Sequence, residues 1–171
     1  MNAAILDYGL GNLFSIGQSC RRAGLAAELV DTANRLQRAD MLILPGVGAF
    51  GDAMAALSRL DLISPIRDYV ATGRPVIGIC LGMQLMMSES HEFGRHAGLD
   101  LIPGTVELLE PGFLPSGRRY KVPNIGWNQI FLPGDGSSWG GSPLCELADG
   151  EFQYFVHSFA VRPAEEAHIL S

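Results

Sequence analysis

The sequence predicts an α/β fold built on a mostly parallel sheet that is covered on both faces. Short runs of almost purely apolar residues recur at 3–6 (AAIL), 41–44 (MLIL) and 75–79 (PVIGI), as strands buried on both sides require. Helix-like stretches separate these runs, and alternation of that kind implies parallel strands with crossover helices. The chain has 171 residues, 47% of them hydrophobic, enough for one sizeable core.

The elements follow in order. AAIL stops at Asp7 and gives way to YGLGN, a glycine-rich turn. Ser15 to Ala23 reads as a helix closed by Gly24, since glycine accepts the left-handed angles of a helix C-terminus. AAELV at 26–30 is a second strand and MLIL a third, ended by Pro45 and Gly46. Phe50 to Leu57 and Leu62 to Ala71 are helical, with Pro65 in the first turn of the latter and Gly73 after it. PVIGI is the fourth strand, and Leu81 to Glu89 a helix. After residue 98 the texture changes. TVELL (105–109), GWNQIF (126–131) and FQYFVHSFAV (152–161) are strand-like, and 133–143 (PGDGSSWGGSP) is a loop. This half predicts a mixed or antiparallel extension of the sheet. The chain stops at AHILS, which reads as the start of an apolar strand.

Composition excludes several classes. The formal net charge is −6, and no basic cluster offers a nucleic-acid footprint. No apolar run approaches the ~20 residues that span a bilayer, and the N-terminus lacks the basic start of a signal peptide. Three cysteines, Cys20, Cys80 and Cys145, form no paired pattern, which points to a reducing compartment and a cytoplasmic protein. No cofactor or metal motif is present.

The chemistry concentrates at Cys80. G-x-C-x-G, with Gly78 and Gly82 flanking the cysteine, has the layout of a nucleophile elbow. Tiny neighbours let the backbone turn sharply from strand to helix, and the sulfur then stands at the carboxyl edge of the sheet. Amide N–H groups at the helix start favour the thiolate; such sites lower a cysteine pKa from ~8.5 to roughly 3.5–7.5. The Leu81 N–H is placed to donate to an oxyanion. A buried cysteine at a glycine-tolerant turn is the plainer alternative, but the apolar strand before it and the helix after it favour the elbow. Cys20 fits the core, and Cys145 carries no signal.

GICLGMQ (78–84), LPGVGAFG (44–51), KVPNIGWN (121–128) and YFVHSF (154–159), in this order, resemble the triad glutamine amidotransferases. Within that family the chain looks most like the glutaminase subunits of histidine biosynthesis; ILDYGLGN and GLDLIPGTV fit the same subunits. The resemblance implies a flavodoxin-like three-layer fold. It implies hydrolysis of glutamine to glutamate and ammonia through a thioester on Cys80, and passage of ammonia to a (β/α)8-barrel cyclase. It also assigns residues. Gln84, one turn after the nucleophile, would contact the glutamine. The peptide between Gly46 and Val47 would give the second oxyanion donor. His157, Ser158 and Phe159 would lie against the amino-acid end of the substrate. Asn12, Trp127 and Tyr154 would lie near the cyclase interface, although the residues of Trp127 and Tyr154 alone fit ordinary core packing.

The family also uses a histidine to take the thiol proton and a carboxylate to orient it, in a motif like FHPEKS near the C-terminus, and that motif is absent. His91 and His96 sit in ESHEFGRHAG, read as an exposed connector; His168 opens EEAHIL; His157 belongs to the substrate hairpin. The chain therefore reads as a single amidotransferase domain over 1–171 that stops short of its base, and these residues alone are expected to be inactive. Two other functions stay open: a paralogue serving another ammonia acceptor, as in nucleotide-sugar amidation, and a non-catalytic glutamine-binding or regulatory subunit.

Overall fold

The computed structural model describes residues 1–112, 121–132 and 138–171; of the loop read at 133–143, residues 133–137 lie outside them. The first half consists of β1 (Asn2–Leu6), α1 (Leu13–Arg22), β2 (Ala26–Val30), α2 (Ala33–Leu36), β3 (Met41–Leu44), α3 (Phe50–Arg59), α4 (Ile63–Ala71) and β4 (Val76–Gly78). Its four strands run parallel in the order β2-β1-β3-β4. Successive side chains of a strand face opposite ways. Ala3, Ile5 and Ile43 form one cluster with Cys20, Leu13 and Ile16 of α1. Ala4, Leu6, Leu42 and Leu44 form another with Phe50 and Leu57 of α3 and Ile66 of α4. In β1 and β3 both alternating sets are buried, which is why these two strands read as unbroken apolar runs, whereas β2 at the sheet edge is mostly exposed and β4 is half-buried.

Strand order reverses at β1. The first crossover leads outward to β2, and the second returns past β1 to β3. The carboxyl ends of β1 and β3 therefore form a switch point, where open α/β sheets leave a crevice for ligands. Cys80 follows β4, the next strand along.

The second half holds α5 (Leu81–Leu85), β5 (Met87–Ser90), β6 (His96–Ala97), β7 (Ile102–Leu108), β8 (Asn124–Gln129), β9 (Phe152–His157) and β10 (Phe159–Pro163). A mixed sheet has the order β10-β7-β5-β6, in which only β5 and β7 are parallel. Strands β8 and β9 pair as a separate antiparallel ribbon.

Several elements differ from the sequence reading. The helix expected over Leu81 to Glu89 ends at Leu85. Residues 99–102 fold back and take the carbonyls that a longer helix would have used: Leu99 N–H donates to Leu85 O, Leu101 and Ile102 to Met86 O, and Asp100 to Met87 O. The stretch 152–161 is two strands in different sheets, broken at Ser158, whose carbonyl accepts from Leu109. Strand β8 begins at Asn124, two residues ahead of the reading. Helix α2 carried no clear signal. AHILS is not a strand: a 3-10 turn covers Glu166–His168 and is followed by coil. There the Trp139 indole N–H donates to Leu170 O and the Phe131 N–H to the Ser171 hydroxyl oxygen. His96 is not exposed either; its ring packs on Phe50, with centroids 6.5 Å apart.

His91 ties the mixed sheet together at its surface. Its ring nitrogens lie 3.1 Å from a Glu89 oxygen and 3.0 Å from a Glu107 oxygen, bridging β5 and β7. Arg95 Nε donates to the other Glu89 oxygen at 2.8 Å. The bond to Glu89, then the bond to Glu107, raises the His91 pKa above 6.5. The bonds from Arg95 and then His91 lower that of Glu89. A raised histidine pKa adds stability that is fully present below the unfolded value and is lost as pH rises through the folded one. Proton NMR titration should therefore place His91 above 6.5, and Glu107→Gln should bring it down. A native His91 titrating at or below the unfolded value contradicts this arrangement.

Candidate active site

The turn after β4 is shaped by what cannot fit beside it. Cys80 has φ 55° and ψ −115°, a conformation that costs a non-glycine residue on the order of 1–3 kcal/mol and persists only where the surroundings impose it. Here they do. A Cβ on Gly78 would stand 2.6 Å from Met83 Cα, and one on Gly82 would collide with the Leu44 carbonyl oxygen. Backbone bonds complete the turn: Gly82 N–H to Ile79 O at 3.0 Å, Met83 N–H to Cys80 O at 3.0 Å, and Ile79 N–H to Leu44 O at 2.9 Å. The thiol is exposed at the carboxyl edge of the sheet, whereas Cys20 is buried under α1.

Cys80 lies between two cavities, of about 490 and 430 Å³, and both are lined by Gln84, Val156, His157 and Phe159 as well. Val47, Gly48, Leu81 and Ser158 line the second. Gly46 is buried against the elbow, its would-be Cβ 2.7 Å from the Gly82 nitrogen and 2.8 Å from Leu81 Cβ. Neither the Val47 nor the Leu81 N–H finds an acceptor among the described residues. The expected nucleophile, oxyanion and substrate residues thus border one crevice.

Within that crevice the Phe159 carbonyl oxygen is a shared acceptor. Gln84 Nε2 donates to it at 3.1 Å, and His157 Nδ1 lies 2.9 Å away. A carbonyl can only accept, so Nδ1 carries the proton. His157 Nε2 then accepts from Asn124 Nδ2 at 3.3 Å, and Asn124 Oδ1 accepts from Asn128 Nδ2 at 3.3 Å. Both ring nitrogens of His157 thus have hydrogen-bond partners. Gln84 is only 9% exposed, and its amide fastens α5 to β10.

The residues expected near the cyclase interface separate into two places. Trp127 and Tyr154 are cross-strand partners with ring centroids 5.6 Å apart. They are 68% and 56% exposed, so the core packing that their residue types suggest does not occur. Tyr154 also lines the larger cavity beside Cys80. Asn12 caps α1 through a bond from Ser15 N–H at 3.2 Å. Its neighbour Gly11 rests on Pro45, just past β3, so Asn12 shares the sheet edge but has no hydrogen bond to the aromatic pair.

Two residues in the site had no sequence signal. Glu92 was read as part of an exposed connector, yet it lines the second cavity and accepts from Phe50 N–H at 2.6 Å, capping α3. It is the sole carboxylate bordering that cavity among the described residues. Tyr8 is buried after β1 and donates its hydroxyl to Pro45 O at 2.6 Å; burial pushes its pKa up, so the hydroxyl keeps its proton. Neither role shows in residue type or spacing, because each depends on where two distant loops meet. Among the described residues no group of three His, Cys, Asp or Glu could hold a metal ion. As chemistry, the site offers a thiol held in a strained turn, two N–H donors beside it, and a carboxylate across the crevice.

Residues 4–170 match the family model of the class-I glutamine amidotransferases. The chain is 42% identical over 163 residues to the imidazole glycerol phosphate synthase subunit HisH 1 of Legionella pneumophila (strain Paris), covering 95% of this chain and 76% of that protein. It is 41% identical over 172 residues to the HisH subunit of Aquifex aeolicus, covering all of this chain and 77% of that one. Among solved structures, one described as a glutamine amidotransferase superposes with a TM-score of 0.69 over 96% of this chain and 75% of its own, at 17% identity. That last likeness speaks for the fold alone.

The elbow geometry predicts opposite outcomes for two glycine-to-alanine changes. Gly82→Ala should destabilise by ~1–3 kcal/mol or more, because the backbone oxygen of Leu44 cannot yield. Gly17→Ala, inside α1 with its Cβ 4.0 Å from Ile5 Cδ1, should instead stabilise by about 0.5–1 kcal/mol. Urea unfolding of the two variants checks both signs.

Proposed function

The chain belongs to the class-I glutamine amidotransferases, and from that premise we propose that it is a glutaminase subunit of an imidazole glycerol phosphate synthase, hydrolysing glutamine at Cys80 for histidine biosynthesis. The single observation that carries the mechanism is the exposed thiol in a left-handed turn, beside the N–H groups of Val47 and Leu81, which have no acceptor among the described residues. The thiolate adds to the carboxamide carbon, and the oxygen that gains charge is met by those two donors. The amide nitrogen takes up the proton that the thiol gave up and leaves as ammonia, a thioester remains, and water then adds to release glutamate and return a proton to the thiol. The proton acceptor is not His157, whose ring is engaged on both sides. The Glu92 carboxylate suits the α-ammonium of glutamine. Gln84 and the 157–159 backbone form the wall against the amino-acid end.

Ammonia loses its reactivity once protonated in bulk water. A crevice that opens onto a docked partner prevents this. The reading therefore includes a heterodimer with a (β/α)8-barrel cyclase in the cytoplasm, ammonia passing between the two, with the Trp127–Tyr154 face toward that partner. Exposed aromatics of this kind are enriched in interface cores. Among the described residues no helix is long and apolar enough to cross a membrane.

The reading is tested at the thiol. A chloroketone analogue of glutamine should alkylate Cys80 and spare Cys20 and Cys145, as read by peptide mapping; modification of either of the others instead would overturn it. Cys80→Ala should abolish glutamine-dependent synthase activity of the complex and leave activity with added ammonium salts.

The partner face gives a separate expectation. Trp127→Ala should weaken association with the cyclase by ~2 kcal/mol, the scale of an aromatic hot spot, with unchanged thermal unfolding of the free subunit. Calorimetric titration of the two subunits reads this, and equal affinity would remove Trp127 from the interface.

A further inference from the structure

We propose that Tyr8 is a positioning residue for the Gly46–Val47 peptide: its hydroxyl fixes the carbonyl just before that peptide and so aims the Val47 N–H at the oxyanion beside Cys80. The inference rests on the glutaminase reading above and goes beyond it, since no part of that reading gives Tyr8 a role. The Tyr8 hydroxyl donates to Pro45 O at 2.6 Å across the switch point between β1 and β3. No backbone N–H reaches that carbonyl among the described residues, so the tyrosine stands in for the ladder bond missing past the end of β3.

The contact lies close to the reaction. The hydroxyl oxygen is 2.9 Å from where a Gly46 Cβ would stand, on a backbone already packed against Leu81 and the Gly82 nitrogen. One side chain thus holds the peptide before Gly46, and the elbow holds Gly46 from the other side. The next peptide, Gly46–Val47, has no hydrogen bond at its N–H among the described residues to fix it. Its orientation is inherited from the carbonyl that Tyr8 clamps. Tyr8 is 3% exposed, so the clamp is not shared with water.

The test compares two alkylating agents on the intact 171-residue chain. With a chloroketone analogue of glutamine, sulfur bonds to the chloromethyl carbon, chloride leaves, the thiol proton goes to solvent, and the ketone oxygen must lie at the oxyanion donors. Iodoacetamide reacts by the same displacement without needing them. Loss of an oxyanion donor costs about 10²–10³ in rate, and a misaimed donor less. In Tyr8→Phe the maximal chloroketone rate should fall on the order of tenfold, with its half-saturation concentration and the iodoacetamide rate unchanged. Tyr69→Phe removes another buried tyrosine hydroxyl, which donates to Ala39 O, and should leave all three readings unchanged. Tyr8→Met serves if Tyr8→Phe does not fold. Unaltered chloroketone rates in a folded Tyr8 variant overturn the proposal, as does an equal fall with iodoacetamide, which would place the damage at the thiol. A wild-type chain that the chloroketone fails to label at Cys80 overturns the glutaminase reading and this inference together.

Discussion

The site depends on one close approach: the first turn of α5 lies directly on the end of β3. Gly82 faces the Leu44 carbonyl with no room for a Cβ, and the same carbonyl accepts from Ile79 N–H. A strand end and a helix start can come this near only if the residue between them takes angles that a side chain resists, and that residue is Cys80. The strain at the thiol and the closeness of the Gly46–Val47 peptide are therefore two results of one packing constraint. Strain of this kind survives because the surrounding contacts leave the backbone no alternative.

The same constraint decides what lies around the thiol. Helix α5 ends after five residues because residues 99–102 take its last carbonyls. That exchange starts the mixed sheet, brings β10 alongside α5, and places the Phe159 carbonyl where Gln84 and His157 both donate to it. A polar cluster of this sort is stable only when its members are paired. Here His157 is paired on both ring nitrogens and lines the crevice wall.

Beyond the crevice, the β8–β9 ribbon turns Ile125, Trp127, Phe152, Tyr154 and Val156 outward on one face. The opposite face carries Asn124, Asn128, Gln153 and His157 together with Gly126 and Phe155. This reverses the usual arrangement of a sheet over a core. An outward apolar face beside the thiol crevice is the feature on which the proposed partner docking rests.

Residue pattern alone determined the parallel sheet, the helices that cover it and the elbow. Apolar runs at 3–6 and 41–44 can be buried only as central strands, the run at 75–79 forms the half-buried strand beside them, and G-x-C-x-G leaves few other local geometries. Motif order carried the assignment of Gln84, Val47 and the 157–159 hairpin, which border the crevice, and of Gly46, which is packed behind the elbow. The end of α5, the break at Ser158, the roles of Tyr8 and Glu92 and the outward face of Trp127 were decided by tertiary structure. Each is a contact between segments far apart in sequence: Tyr8 with Pro45, Glu92 with Phe50, Gln84 with Phe159. Local propensity sees one segment at a time. A carbonyl taken by a distant N–H, or a carboxylate carried to another helix, leaves no trace in the spacing of its own neighbours.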